Sequence, residues 1–284
     1  MQFNDAEEVD LKLCLLSGSP IYLDNLEIHP YTLNEVKEYG YTRYINTLQW
    51  ISFSVGEFID SVKDENNRKF LEDSVDNLKP FDFYFKIGGE SMQAMLIESL
   101  SMIFKTDDVK VIDENGIIAL GLEELEVIKY DDNGDYYIDH DMAETLNDND
   151  FKLIHRDNFD DIVYIVRLQN YLEKSESIAD KKSVSADSKT ERLKRHMEEM
   201  RRKVEEKKRK QKSSDGDEID ISDIISAISS KSNSINITNV WNLSLYQIYD
   251  AYARLEMIDD YEYKIKAMMA GSEEMELRHW SSRM

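Results

Sequence analysis

Cysteine, proline and glycine are all scarce in this chain of 284 residues. It contains one cysteine, three prolines and ten glycines. A single cysteine, Cys14, excludes an intrachain disulfide framework and is typical of a reducing compartment. Because glycine and proline are the residues that interrupt helices most strongly, their scarcity predicts a helix-rich chain with few tight loops.

Long apolar runs are also missing. The sequence has no stretch of eighteen consecutive apolar residues, so no membrane-spanning helix is expected. The first residues, Met1 to Asp5, end on an acidic side chain and lack the apolar core of a signal peptide. These observations predict a cytoplasmic protein that does not associate with a membrane.

Positive charge is in short supply. The chain carries 35 Lys and Arg against 58 Asp and Glu, which gives a net charge of 35 − 58 = −23. A surface with this charge repels phosphate backbones, so no nucleic-acid partner is expected. Aromatic residues make up 10% of the chain, which is enough to build a hydrophobic core.

The charge is distributed unevenly along the chain. Residues 1–172 hold 14 basic and 36 acidic residues, a net of 14 − 36 = −22, whereas 189–212 hold 12 and five, a net of +7. Between them, residues 173–189 contain few large apolar side chains, which is typical of a linker. We therefore predict an N-terminal α+β domain at 1–172, a charged flexible linker at 173–235 and a C-terminal helical module at 236–284.

The basic part of the linker has a helical pattern. Within residues 190–212, Leu193, Met197, Met200 and Val204 follow one another at spacings of four, three and four. This pattern predicts a basic helix that is either solvated, part of a short coiled coil or docked on a partner. A nucleic-acid-binding arm is disfavoured because no aromatic residues are interleaved. The Ser- and Asp-rich residues 215–235 are expected to be loosely ordered, with at most a transient helical turn or two.

The N-terminal domain combines helix and hairpin signals. Thr32 and Glu35 form a capping-box pattern, which predicts a helix starting there and running to about Ser54. Apolar periodicity predicts further helices at 91–104 and 159–172. Two Asn-Gly pairs lie between short apolar runs, and this is the strongest short-range signal for a β-hairpin. The predicted fold class is α+β, predominantly helical, with an α-rich N-terminal domain that carries β-hairpins.

No catalytic constellation is recognisable in the sequence. The acidic stretch from Asp131 resembles the start of a calcium loop, but its sixth and twelfth positions are Tyr136 and Met142, where that loop needs Gly and Glu. Cys14 lies among leucines and has no neighbouring base, so it is expected to be a buried apolar residue. We therefore expect no enzymatic activity, no catalytic residues, no cofactor and no metal.

The C-terminal module is rich in Tyr, Met and Trp. Its pattern predicts one helix from Leu245, a second from Asp259 to Ala270 that ends at Gly271, and a short last helix. About forty residues rarely hold a core alone, so the apolar side either packs on the N-terminal domain or binds a partner. Aromatic and Met side chains often anchor protein interfaces. The candidate partner-binding residues are Trp241, Tyr246, Tyr249, Tyr252, Met268, Met269 and Trp280.

Several short stretches of the chain carry a family resemblance. They are residues 20–23, 30–35, 40–44, 245–250, 254, 267–271 and 279–280. In these stretches the chain resembles tail assembly chaperones of tailed phages and prophages of Gram-positive bacteria. The resemblance implies a non-enzymatic role in the host cytoplasm, with a tape-measure or other tail protein as the partner. A homo-oligomer is an open alternative.

Two other functions fit an acidic interaction protein. One is a structural component of the virion, such as a neck or baseplate piece. The other is an acidic host-takeover protein that mimics DNA through its carboxylates. The 29 aromatic residues (16 Tyr, 10 Phe and 3 Trp) favour protein–protein interaction over mimicry.

Overall fold

The computed structural model describes a large part of the chain. It covers residues 5–52, 59, 71, 78–113, 116–131, 136–147, 150–172, 219–271, 277 and 279–281. The basic helix predicted at 190–212 lies outside the described residues, as does most of the segment 53–77. The described residues form a predominantly helical α+β fold with small antiparallel sheets, so the predicted fold class is confirmed.

Helices dominate the described chain. The α-helices are α1 Asp5–Ser17, α2 Leu33–Tyr39, α3 Tyr41–Ile51, α4 Pro80–Asp82, α5 Gly89–Phe104, α6 His140–Ala143, α7 Phe159–Gln169, α8 Ile221–Lys231 and α9 Leu245–Met269. A π-helical turn, Phe83–Ile87, joins α4 to α5, and a 3-10 turn, Val240–Asn242, precedes α9.

The strands are short and antiparallel. They are β1 Ile21–Leu23, β2 Leu26–Ile28, β3 Val109–Val111, β4 Ile118–Leu120, β5 Ile128–Tyr130, β6 Tyr136–Ile138 and β7 Lys152–Ile154. The hairpins predicted around both Asn-Gly pairs are confirmed, because β3 pairs with β4 and β5 pairs with β6. Strand β7 adds to β4, with Ile154 opposite Ile118, and completes a three-stranded sheet.

The capping box at the start of α2 forms as predicted. The Glu35 amide donates to Thr32 Oγ1 at 3.3 Å, and the Thr32 amide donates to Glu35 Oε2 at 2.8 Å. The prediction of one helix up to about Ser54 is wrong. Helix α2 ends at Tyr39 and α3 begins at Tyr41, because Gly40 between them takes a φ of +93°, which interrupts the helix.

One hydrophobic core joins N-terminal and C-terminal elements. It includes the rings of Phe81 and Phe159, 5.1 Å apart, with the Tyr84 ring 5.8 Å from that of Phe159. The same core contains Ile228 of α8 and Ile248 of α9, which are both fully buried. Burial of apolar surface is the main favourable term in folding, so both C-terminal helices contribute to the stability of the whole.

Helix α8 corrects the linker prediction. Residues 221–231 lie inside the segment expected to be loosely ordered, yet they form a regular helix capped by Asp220. Asp220 Oδ1 accepts from the amides of Ser222 and Asp223 at 2.7 and 3.1 Å. The helix is ordered because Ile224, Ile225 and Ile228 are buried, which the local Ser- and Asp-rich composition did not indicate.

Helix α9 corrects the prediction of two C-terminal helices. It runs without interruption over 25 residues, from Leu245 to Met269. No Gly or Pro lies between these residues, so nothing in the backbone stops the helix near Asp259. The helix ends just before Gly271, which has a φ of +92°. The short last helix was predicted from Ser272, and residues 272–276 lie outside the described part.

Candidate partner-binding surface

The start of α9 is fastened to the N-terminal part of the chain. Ser244 caps the helix by accepting from the Gln247 amide at 3.3 Å, and Gln247 Oε1 accepts from the Ser244 amide at 2.8 Å. The Gln247 side chain also donates to the carbonyl of Leu16 in α1 at 2.8 Å. Beside this contact the Leu33 amide donates to the Leu243 carbonyl at 2.8 Å.

The first half of α9 packs inward. Leu245 and Ile248 are buried in the common core. The Tyr249 ring stacks on Tyr171 with centroids 5.3 Å apart, and the Tyr246 ring lies 5.8 Å from Tyr171. Burial raises the pKa of Tyr249 to about 12. This half of the helix is therefore a structural element of the protein's own core.

Four of the predicted partner-binding residues lie against the protein itself. Besides Tyr246 and Tyr249, the Tyr252 side chain is half-buried against the common core. The Trp241 ring has the Lys37 ammonium 5.3 Å from its centroid. For these four residues the structure shows the internal packing that the sequence analysis gave as the alternative to partner binding.

The apolar face of α9 changes sides near its middle. At 3.6 residues per turn, Leu245, Ile248 and Tyr252 point to one side of the helix. In the second half that side carries Asp259, Glu262 and Lys266 and the exposed ring of Tyr263, whereas a line of apolar residues follows the opposite side. None of the α9 residues after Leu255 belongs to the described core. The opposite side presents Ile258, Tyr261, Ile265 and Met268.

These four residues form a seam, which we call the distal seam. Their spacings of three, four and three are those of coiled-coil a and d positions, which line one side of a helix. All four are partly accessible rather than buried. Next to the seam, the Met269 side chain is 84% exposed. The distal seam is therefore an apolar helix face directed away from the core-facing side of α9.

The C-terminal tail returns along this half of α9. Arg254 Nη1 donates to the carbonyl of Trp280 at 3.2 Å, and the His279 ring lies 5.3 Å from the ring of Tyr261. The Trp280 side chain is 44% exposed. Of the predicted residues, the structure thus brings Met268, Met269 and Trp280 to the distal half, away from the four that pack on the core.

Ion pairs support the distal half of the helix. Lys264 contacts Asp260 at 2.7 Å and Lys266 contacts Glu262 at 3.4 Å, both one turn apart along α9. Such pairs stabilise a helix by about 0.2–0.5 kcal/mol each. Lys231 at the end of α8 also pairs with Asp259. These contacts help the distal half to stay helical without burying its seam.

Three of the four seam residues, Ile258, Tyr261 and Ile265, were not among the candidates named from sequence. Ile258 was not recognised because the sequence analysis divided the helix near this position. Tyr261 and Ile265 were assigned to the stripe of a separate second helix and were not included in the list of partner-binding candidates. The 3-4-3 spacing from Ile258 to Met268 was the available signal, and it becomes visible once α9 is treated as one helix.

Among the described residues, no group of three or more His, Cys, Asp or Glu side chains is arranged to hold a metal ion. None of the described helices combines the length and the apolar character needed to cross a membrane.

The comparisons with known proteins concern the C-terminal part. Residues 207–284 match the family model named YomV second domain. The match suggests a phage- or prophage-type protein family. No curated protein and no solved structure matches the chain. The matched range includes α8, α9 and the tail, and therefore the whole distal seam.

Proposed function

We propose that this protein is a non-enzymatic tail assembly chaperone of a phage or prophage. Its distal seam binds a helical segment of a tape-measure protein or another tail protein during virion assembly. The observation that carries this proposal is the change of apolar face along α9, which presents four seam residues on the side opposite to the core-facing side.

The seam has the chemistry of a helix-binding surface. An amphipathic helix binds a partner helix through apolar residues at three- and four-residue spacings. Met268 and Met269 add unbranched, polarisable side chains that adapt to partners of different shape. Tyr261 and Trp280 supply the aromatic anchors that dominate many interfaces.

The family comparison supports the proposal at a coarser level. The matched range, residues 207–284, suggests a phage- or prophage-type family and contains the distal seam. The resemblance to tail assembly chaperones covers the same C-terminal stretches. Together with the geometry of α9, these similarities favour a protein-binding role in phage assembly.

Co-purification with a tape-measure-like protein tests the proposal. The full chain should capture that protein, and Ile265→Asp should weaken its affinity for the protein at least tenfold. Burial of an Ile side chain contributes about 1.5–3 kcal/mol, and a tenfold change in affinity corresponds to about 1.4 kcal/mol. Tyr263→Asp is the matched control, because Tyr263 is 70% exposed and lies on the other side of the same helix. Equal capture by both variants would show that the seam is not the binding surface.

The alternatives predict other outcomes. A structural component of the virion would be retained in purified particles, whereas an assembly chaperone would be absent from them. A DNA mimic would compete with DNA for a host enzyme, and the seam substitution would leave that competition unchanged.

Cys14→Ser should leave capture of the tail protein intact, because the proposed role uses no thiol chemistry.

A further inference from the structure

Helix α1 has two apolar faces, and the described residues bury only one of them. Leu11 and Leu15 are buried in the common core. Val9, Leu13 and Leu16 lie on the opposite side of the helix and are 55%, 58% and 48% exposed. Spacings of four and three keep these three side chains in line, so they form an outward apolar stripe.

The surroundings of the outward stripe are acidic. Residues 5–10 of α1 contain four acidic residues and no basic residue. The one basic side chain of the helix, Lys12, is paired with Glu8 at 3.0 Å. Residues 1–172 as a whole carry a net charge of 14 − 36 = −22. The stripe therefore favours an occupant that is apolar on one side and positively charged on the other.

The chain itself contains a segment with that composition. Residues 190–212 hold 11 Lys and Arg against five Glu, a net of +6. Their apolar residues are Leu193, Met197, Met200 and Val204, at the four-and-three spacing that the outward stripe of α1 also has. As a helix, this segment would present an apolar line about 16 Å long against a stripe of about 10 Å.

Residues 173–189, which connect Leu172 to the basic segment, are long enough for that segment to reach α1. The segment 173–189 begins after Leu172, next to Tyr171, whose ring stacks on Tyr249 in the first half of α9. Two residues earlier in α9, Gln247 bonds the carbonyl of Leu16 at the end of α1. Seventeen residues can span at most about 56–61 Å, so reach does not limit binding to α1.

We propose that residues 190–212 bind as a helix, within the same molecule, to the outward stripe of α1. The apolar line of the segment covers Val9, Leu13 and Leu16, and its basic residues lie against the acidic N-terminal domain. This inference is independent of the proposed function, since it concerns α1 and not the distal seam. The contact is partly electrostatic, so it weakens as salt shortens the range of charge interactions.

Hydrogen exchange on the full chain tests the contact. Backbone amides of residues 193–204 should be protected in the wild type at low salt, and Leu13→Glu should accelerate their exchange roughly tenfold or more. The Leu13 side chain is exposed, so the variant is expected to fold. Tyr263→Glu, at a position on α9 that is also well exposed, is the matched control and should leave the protection unchanged.

Disulfide trapping separates binding within one molecule from binding between copies. In a Cys14→Ser background, Leu13→Cys and Met200→Cys should oxidise to an intramolecular bridge, much faster than Tyr263→Cys with Met200→Cys. Three results would overturn the proposal: no protection of 193–204, protection that Leu13→Glu does not change, or bridges formed only between two chains. The last result would assign the stripe to a second copy.

Discussion

At the scale of single residues, a few buried polar groups connect distant parts of the chain. The Tyr44 hydroxyl donates to Asn170 Oδ1 at 2.6 Å, and the Gln169 side-chain nitrogen Nε2 donates to the Ile28 carbonyl at 2.8 Å. These side chains are buried, so their polar groups cannot bond water and are satisfied by these hydrogen bonds within the protein instead. Such pairs specify one arrangement of α3, α7 and β2.

Tyr44→Phe should destabilise the protein measurably. It removes the hydroxyl while leaving Asn170 Oδ1 buried without that donor, which costs about 1–3 kcal/mol. Chemical denaturation followed by circular dichroism gives the change in the free energy of unfolding. Tyr22→Phe is the control, because the Tyr22 hydroxyl bonds Glu27 at the exposed surface and its loss should cost little. Similar losses for both variants would contradict the role of the buried pair.

At the scale of elements, α8 shows how a weak local signal becomes a stable helix. Its sequence is rich in Ser, but the three isoleucines that face the core recur at helical spacing. Asp220 satisfies amides that would otherwise lack partners at the first turn. The helix is therefore held by one apolar face and one cap rather than by intrinsic propensity.

Ile228→Ala should destabilise the whole protein by about 2–5 kcal/mol, because it leaves a cavity at a fully buried position. Thermal unfolding of the full chain measures the effect. Ile219→Ala, two residues before α8, is the matched control, since Ile219 is exposed. If Ile228→Ala behaves like this control, α8 does not belong to the common core.

At the scale of the whole molecule, the C-terminal part is both structural support and proposed binding surface. The two roles are separated along α9 at about Leu255, the last α9 residue that packs on the core. The first half buries Leu245 and Ile248, and the second half carries the distal seam. A truncation can therefore remove one role without the other.

Two truncations should have opposite consequences. A chain ending at Met257 keeps Leu245 and Ile248 in place, so its melting temperature should stay close to that of the full chain while capture of the tail protein is lost. A chain ending at Ile235 lacks both side chains. Its melting temperature should be lower by roughly 10 °C or more, because the loss of each buried side chain lowers the free energy of unfolding by about 2–5 kcal/mol. Equal melting temperatures for the two truncations would show that the first half of α9 adds no stability.

High pH should unfold the protein through its buried tyrosines. Burial raises the pKa of Tyr31 and of Tyr249 to about 12, and it raises the pKa of Tyr44 and Tyr84 further. An unfolded tyrosine titrates near pH 10, so the stability that these neutral groups contribute is present below about pH 10 and is lost as pH rises towards about 12.

Tyrosinate absorbance and circular dichroism, recorded together across this range, check the alkaline prediction. A late class of tyrosines should ionise as the helical signal falls. Ionisation of every tyrosine near pH 10 with the helical signal intact would contradict it.

Local hydrogen-bonding patterns were predictable from sequence. The capping box of Thr32 and Glu35 forms within four residues, and the strand pairs β3–β4 and β5–β6 lie on either side of Asn-Gly pairs, which favour hairpins. The end of α9 before Gly271 follows from the same kind of short-range preference. These features depend on neighbours along the chain, so the sequence alone was sufficient to predict them.

The placement of apolar faces required the tertiary structure. The 3-4-3 spacing of the distal seam is present in the sequence, but burial of Leu245 and Ile248 decides which side of α9 faces the core. Likewise, Tyr44 and Asn170 are 126 residues apart, and nothing in either local pattern joins them. Amphipathic periodicity defines a face but not what covers it, because the covering surface comes from residues distant along the chain.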